Sequence, residues 1–171
     1  MAKLCGVSHA APYKHFKNID ELIEAITQKV LTDFSSALSS ATENSTDYGL
    51  QFHKMGKKYV QFMVENPEYL KFLFVNRNSP PVLIKDNSFV EVDPNDPFSI
   101  FARTASNFFD SIGSNPNNKV SNILTMWSLV HGIAELIINN CIVLEGNYMD
   151  YVDKMLLCNF LYEKPIQNIK G

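Results

Sequence analysis

Apolar side chains recur at three- and four-residue steps along most of the chain, the spacing of one face of an α-helix. The first such stripe occupies residues 18–41 and the second residues 52–63, separated by a polar segment at 42–47. The spacing predicts two long amphipathic helices. Their apolar positions are Leu22, Ile26, Val30, Phe34, Leu38 and Ala41, then Phe52, Met55, Tyr59, Phe62 and Met63.

Capping signals indicate where helices begin. Asn18, with Glu21 three residues later, forms a capping-box pattern at the head of the first long helix. Elsewhere a proline follows an Asn or Asp, an arrangement that favours a helix starting at the proline. This signal predicts helices that begin at Pro67, Pro97 and Pro116.

The second half of the chain predicts three further helices. Residues 97–112 carry one apolar stripe, formed by Phe98, Phe101, Ala102, Ala105, Phe108, Phe109 and Ile112, and Gly113 ends it. Residues 116–143 are apolar on two faces. One face holds Val120, Ile123, Leu124, Trp127, His131, Ala134, Ile138 and Cys141, and the other Leu129, Ile133 and Leu136. A helix with two apolar faces needs a second surface to cover it, for which a two-fold partner copy is suited.

The last helix is predicted at 148–162, with Met149, Val152, Leu156 and Phe160 on one face. Residues 76–96 are irregular and contain Pro80, Pro81 and Pro94, so we expect a long surface loop there. Within it, residues 88–92 alternate apolar and polar positions and are compatible with a brief strand. The overall prediction is an all-α fold.

Charge is distributed unevenly along the chain. The formal net charge is -3, yet residues 1–17 contain Lys3, Lys14, Lys17, His9 and His15 and no acidic residue. A basic helix on an acidic body favours an element that faces phosphate. No apolar run approaches the roughly 20 residues that span a bilayer. The three cysteines lack zinc-site spacing, so we expect thiols in a reducing cytoplasm, with no metal and no cofactor.

Two motifs resemble one protein family. The run from Gly6 to Phe16, Gly-Val-Ser-His-Ala-Ala-Pro-Tyr-Lys-His-Phe, resembles the recognition helix of TetR-family transcriptional regulators. The run from Trp127 to Ile133, Trp-Ser-Leu-Val-His-Gly-Ile, resembles the Trp…His-Gly signature of one subgroup of their regulatory domains. The resemblance implies DNA contacts from Ser8, His9, Ala10, Tyr13, Lys14, His15 and Lys17. The first three match base-reading positions, and Tyr13 and His15 match phosphate-contacting ones.

The resemblance also implies how the chain is divided. Residues 1–18 would be the remainder of a helix-turn-helix DNA-binding domain, and residues 19–171 a helical-bundle domain for ligand binding and dimerisation. The family module has three helices, so its first helix and most of its second are expected to lie outside this sequence. The family's lysine before the long helix is replaced by Ile19.

The regulatory domain of such proteins binds a small molecule and forms a homodimer through its last two long helices. Residues expected at the dimer interface are Leu129, Ile133, Leu136, Val152 and Leu156. Residues expected to line a pocket for a hydrophobic effector are Phe62, Phe72, Phe101, Phe108, Trp127 and His131. For Trp127 and the phenylalanines, simple core packing is the alternative. His131 has three interpretations: an effector contact, a pH switch or a core histidine with one partner.

The expected function is therefore that of a transcriptional regulator that binds double-stranded operator DNA. Repression is the commoner behaviour in the family, so we expect a repressor that a small-molecule effector releases from the operator. One alternative is a truncated protein that dimerises with an intact regulator and sequesters it. An all-α enzyme is a third alternative, but the sequence has no Glu-x-x-His pair, no His-Glu-x-x-His, no phosphate-binding glycine loop and no Gly-x-Ser-x-Gly.

Overall fold

The structure is a computed structural model that describes residues 15–160, with the side chains of 159 and 160 left out. It confirms the all-α prediction. Six α-helices are present in this part of the chain, together with one two-stranded sheet. They are α1 (Ile19–Ser40), α2 (Tyr48–Glu65), α3 (Pro67–Leu70), β1 (Leu83–Lys85), β2 (Ser88–Val90), α4 (Pro97–Ser111), α5 (Lys119–Ile138) and α6 (Tyr148–Phe160).

Helix α2 lies at the centre of the bundle and contacts α1, α4, α5 and α6. Its inner face is the second stripe predicted from the sequence, and Phe52, Met55, Tyr59 and Met63 are all buried. The ring of Phe52 lies within 5.1–6.0 Å of three phenylalanine rings of α4, measured between centroids. Burying so many aromatic side chains supplies the main driving force for the bundle.

The predicted caps form, with one difference. The Asn18 side chain accepts a hydrogen bond from the Glu21 backbone N–H at 2.8 Å, as a capping box requires. The Glu21 carboxylate accepts from the Lys17 N–H at 2.6 Å, one residue earlier than the usual partner. At α4, Asp96 accepts from the N–H groups of Phe98 and Ser99. Both helices therefore begin where the sequence predicted.

The irregular segment 76–96 contains a short hairpin. Strands β1 and β2 are antiparallel, with Ile84 opposite Phe89. The two turn residues, Asp86 and Asn87, have φ values of 51° and 54°, as a type I′ turn requires. Asp and Asn tolerate this left-handed conformation better than most residues. The predicted strand is thus confirmed within a segment that is otherwise loop.

Helix α3 continues into a π-helical turn at Lys71–Val75, which the sequence pattern had indicated only as helix. Such turns are rare and occur frequently at functional sites. The chain then folds back, because the Ser79 N–H donates to the Leu73 carbonyl oxygen at 3.0 Å. This places the loop after α3 beside α1 and the start of α4.

The prediction for residues 116–143 needs two corrections. A single 3₁₀ turn at Pro116–Asn118 precedes α5, and α5 ends at Ile138 rather than at residue 143. Asn140 takes a φ of 53°, and the Cys141 N–H donates back to the Leu136 carbonyl oxygen. This left-handed ending leaves Cys141 outside the helix and exposed.

The inner face of α5 also differs from the predicted one. Val120, Ile123 and Ala134 are buried as expected, but Met126 and Val130 share that face with them. Trp127 and His131 lie at its margin and are only half-buried. In the described part of the chain, the helical stretch Pro116–Ile138 alone has the length and apolar composition to cross a membrane. Its inner face contacts α2 and α4 instead.

Helix α6 is held against α2 by both charge and close packing. The Asp153 carboxylate accepts from Lys57 Nζ at 2.6 Å and lies 2.9 Å from His53 Nε2. These hydrogen bonds, that of Lys57 above all, hold the pKa of Asp153 below its ordinary value. On the buried side, a Cβ added to Gly56 would lie 3.2 Å from the Leu156 side chain. Any larger residue at this position would require the Leu156 side chain to shift by a few tenths of an ångström.

We expect Gly56→Val to lower the free energy of unfolding by about 1–3 kcal/mol, because it overfills this contact. Leu156→Ala should lower it by about 2–5 kcal/mol, because it leaves a cavity. The double variant should lose less than the sum, since the valine occupies the space that the leucine vacates. Urea denaturation of the four proteins measures this. Additive losses would show that the two positions are not in contact.

Candidate ligand-binding site

A cavity of about 1060 Å³ lies between α1, the segment 76–96 and the start of α4. This volume is at the upper end of the range of small-molecule sites. Its walls have different chemistry. One wall is aromatic and is formed by Phe34, Tyr59, Phe74, Phe98, Phe101 and Trp127. The α1 wall carries polar side chains, namely Gln28, Thr32, Ser35, Ser36 and Ser39. Pro80, Pro81, Val82, Val90 and Val92 form a third, apolar wall.

The aromatic wall is a connected series of ring contacts. The Phe98 and Trp127 rings lie 4.7 Å apart between centroids, and the Phe98 ring lies 5.0 Å from that of Phe89 in the hairpin. Phe74, in the π-helical turn, contacts Trp127 at 6.5 Å and His131 at 4.6 Å. The hairpin, the turn and α5 are therefore joined by ring contacts, and of these residues Phe74, Phe98 and Trp127 line the cavity.

A buried hydroxyl group lies behind this wall. Trp127 Nε1 donates to the Tyr59 hydroxyl oxygen at 3.2 Å, and that oxygen lies 3.0 Å from His131 Nδ1. Since Tyr59 already accepts from Trp127, the geometry favours donation of its proton to a neutral imidazole. Burial raises the pKa of Tyr59, although the hydrogen bond from Trp127 opposes this. Burial also lowers the pKa of His131. Both groups are therefore held in their neutral forms.

The polar wall is attached to the loop that precedes α4. Ser35 Oγ donates to the Asn95 carbonyl oxygen at 2.7 Å, whereas Ser36 Oγ donates within α1 to the Thr32 carbonyl oxygen at 2.8 Å. A movement of the segment 93–96 would therefore act on α1 directly. Serine and threonine that bond back to the preceding turn also favour helix bending.

Four charged residues line the cavity. Asp96 caps α4, and Asp93 accepts from the Asn95 N–H at 2.8 Å. Glu43 lies beyond the end of α1. Arg77 is exposed, and its φ of 58° is unusual for a residue other than glycine, asparagine or aspartate. Within residues 15–160 there is no cluster of three or more His, Cys, Asp or Glu side chains that could hold a metal ion.

Only some of the residues predicted for an effector pocket line the cavity. Phe101 and Trp127 line the cavity, whereas Phe62, Phe72, Phe108 and His131 do not. Phe62 lies one layer behind, stacked on Phe34 at 4.9 Å. Phe108 stacks on Phe52 in the core, Phe72 is half-buried, and His131 lies behind Tyr59.

Sequence analysis did not identify Tyr59, Phe74, Phe98 or Arg77 as cavity residues. Tyr59 and Phe98 were recognised as members of apolar stripes, but a stripe does not show which of its members meet an open space. For Arg77 the available signal was its position in the irregular, proline-containing segment, since long loops are often functional.

Most residues predicted to contact DNA, namely Ser8, His9, Ala10, Tyr13 and Lys14, lie outside the described residues. His15 and Lys17 are described, and both are exposed immediately before α1. Nothing in the described part of the chain covers either residue, and their predicted contact with phosphate remains a hypothesis.

The residues predicted for a dimer interface fall into two groups. On α5, Leu136 is 43% exposed, Leu129 and Ile133 are half-buried, and a Cβ added to nearby Gly132 would meet nothing within 4 Å. On α6, Val152 and Leu156 are completely buried. The placement of these two at an interface needs correction, because their side chains are already enclosed by the chain's own core.

Comparisons with known proteins support the fold and point to a class of function. No protein-family model matches the chain. A protein of Haemophilus influenzae described as an uncharacterized HTH-type transcriptional regulator is 32% identical over 73 residues, 43% of this chain and 39% of that protein. The match thus spans well under half of the relative's length. A solved structure of a protein with unknown function from Rhodococcus sp. RHA1 has the same fold, with a TM-score of 0.67 at 23% identity over 93% of this chain and 79% of that chain.

The lowered pKa of His131 predicts how stability depends on pH. The ordinary pKa is 6.5, and burial lowers it in the folded chain while Glu135 opposes this. At a pH between the folded-state pKa and 6.5, the unfolded chain binds more protons at His131 than the folded chain does. The contribution of His131 to the free energy of unfolding is therefore fully present above pH 6.5 and is lost as the pH falls towards the folded-state pKa. We expect His131→Gln, which can still accept from Tyr59, to reduce this loss.

Urea denaturation at a series of pH values measures the effect. His15→Gln, at an exposed position, is the matched control and should leave the dependence unchanged. An equal dependence in wild type and His131→Gln would assign the titration to another group.

Proposed function

We propose that the chain is a cytoplasmic DNA-binding transcriptional regulator of the TetR type, and not an enzyme, whose cavity binds a small apolar effector. The observation that carries this proposal is the double role of α1. Helix α1 begins two residues after Lys17, and further along it supplies the polar wall of the cavity. The name of the Haemophilus relative supports a regulator.

The proposed mechanism couples two sites through this helix. An effector that fills the cavity contacts α1 and the segment 93–96 at once, and the Ser35–Asn95 hydrogen bond links these two elements. A shift of α1 would move the DNA-contacting residues that precede it. The coupling requires that the effector bind the DNA-competent and the released conformations with different affinity. In a repressor, the released conformation would bind the effector more tightly.

The proposal includes a homodimer formed through α5 and α6. Leu129, Ile133 and Leu136 supply the apolar surface on α5, and Gly132 allows a second helix to approach closely. On α6, exposed Tyr151 replaces the buried Val152 and Leu156 as the candidate contact. A two-fold axis at this face would hold two recognition helices about one DNA turn apart, ~34 Å.

Ser8, His9 and Ala10 are proposed to read base edges, and Tyr13, Lys14, His15 and Lys17 to contact phosphate. We expect His15→Ala and Lys17→Ala to weaken binding to every DNA sequence and to reduce the salt dependence, because each would remove a phosphate contact. Fluorescence anisotropy with DNA fragments flanking the gene, over a series of salt concentrations, measures this. Lys85→Ala, at an exposed position of β1, is the control.

An unchanged salt dependence in both variants would remove these residues from the DNA interface. If the wild-type chain binds no fragment, the second candidate function gains support: a dimerising partner that sequesters an intact regulator. Subunit exchange with a full-length relative, followed by loss of operator binding, would then establish sequestration.

We expect Ile133→Asp to convert the dimer to monomers, because a charge would be buried at the interface. Analytical ultracentrifugation measures the change. Ile84→Asp is the control, since Ile84 is an exposed isoleucine of β1, an element that takes no part in the proposed α5–α6 interface. A wild-type monomer, or a variant that remains dimeric, would contradict the proposed interface.

A further inference from the structure

The cavity walls hold one positive charge. Arg77 is the only cationic side chain among the described residues that line the cavity. None of the four ion pairs in the described part of the chain includes it. Arg77 is exposed and lines a largely apolar cavity, so its guanidinium is available to a ligand.

The backbone holds Arg77 in a costly conformation. Its φ of 58° lies in the left-handed region, which residues with long side chains seldom adopt. Neighbouring hydrogen bonds fix this geometry, since Asn78 Nδ2 donates to the Phe72 carbonyl oxygen and the Ser79 N–H donates to that of Leu73. Strained backbone of this kind persists where the surrounding structure requires it and clusters at ligand-binding positions.

Three acidic residues share the cavity wall with Arg77. The carboxylates of Asp93 and Asp96 accept hydrogen bonds from backbone N–H groups of their own turn and helix cap. Glu43 forms no ion pair with Arg77. Because all three carboxylates repel an anion, an anionic group binds here only through close pairing with Arg77, the one cationic side chain of the described cavity wall.

We propose that the effector is an apolar carboxylic acid whose carboxylate binds the Arg77 guanidinium. The planar guanidinium offers two parallel N–H donors that match the two oxygens of a carboxylate. The hydrocarbon or aromatic body of the ligand lies against Phe98, Phe101 and Trp127. This inference rests on the proposed function, because it specifies the ligand of the same cavity.

Trp127 provides a direct measurement, because it is the single tryptophan of the chain and it lines the cavity. The purified chain is titrated with decanoate, decanol and decyltrimethylammonium, which share a hydrocarbon chain and differ in head-group charge. We expect changes in Trp127 emission to give roughly tenfold tighter binding of decanoate than of decanol, the effect of one charge-assisted hydrogen-bonded pair.

Arg77→Gln should bring decanoate down to the affinity of decanol and leave decanol binding unchanged, which also shows that the variant is folded. Arg77→Asn repeats the test with a residue that tolerates the left-handed conformation. Lys85→Gln removes one positive charge from β1, outside the cavity wall, and should change neither affinity.

Equal affinity for decanoate and decanol would contradict the proposed contact between a carboxylate and Arg77, and would leave only an apolar effector in the cavity. Tighter binding of decyltrimethylammonium would overturn it in favour of a cation held near Glu43. Binding of none of the three would overturn the inference altogether. The DNA-binding measurements need no ligand. If they fail, the proposed regulatory function is rejected, and this result is independent of whether the cavity binds a carboxylic acid.

Discussion

A buried hydroxyl group has to be hydrogen-bonded, and this requirement fixes how α2 and α5 lie against each other. The Tyr59 side chain is 1% exposed, and its hydroxyl group is placed between Trp127 Nε1 and His131 Nδ1. Those two residues are four apart, so they lie on one face of α5 and can reach the same oxygen atom. A rotation or slide of α5 would break both hydrogen bonds inside the protein, where each unsatisfied group is costly.

The same contact fixes the back of the cavity. Because Trp127 is held by Tyr59, its ring has a defined place for Phe98 and Phe74 to contact. Phe98 stands at the start of α4, which Asp96 caps, and Phe74 stands in the π-helical turn after α3. The aromatic wall therefore brings together α4, α5 and the π-helical turn, and Phe34 of α1 and Tyr59 of α2 complete it. The polar wall, by contrast, comes from the single helix α1.

Much of the fold could be predicted from local signals. The stripes identified the inner faces of α2 and α4, and the caps at Asn18 and Asp96 identified where helices begin. The errors occur where local signals are weak. The pattern continued past Ile138, but a left-handed residue at Asn140 ends the helix there. Ile26 and Ile112 belong to stripes yet remain exposed.

By itself, the sequence determined the all-α class, most helix starts and the presence of two apolar faces on α5, because capping and periodicity depend on residues only a few positions apart. Only the tertiary structure decided which aromatic residues face open space and which lie in the core. Phe101 and Phe108 share one stripe of α4 and both contact Phe52, yet only Phe101 also lines the cavity. That difference depends on which element of the fold packs opposite each residue. The local spacing of apolar residues does not specify these tertiary neighbours.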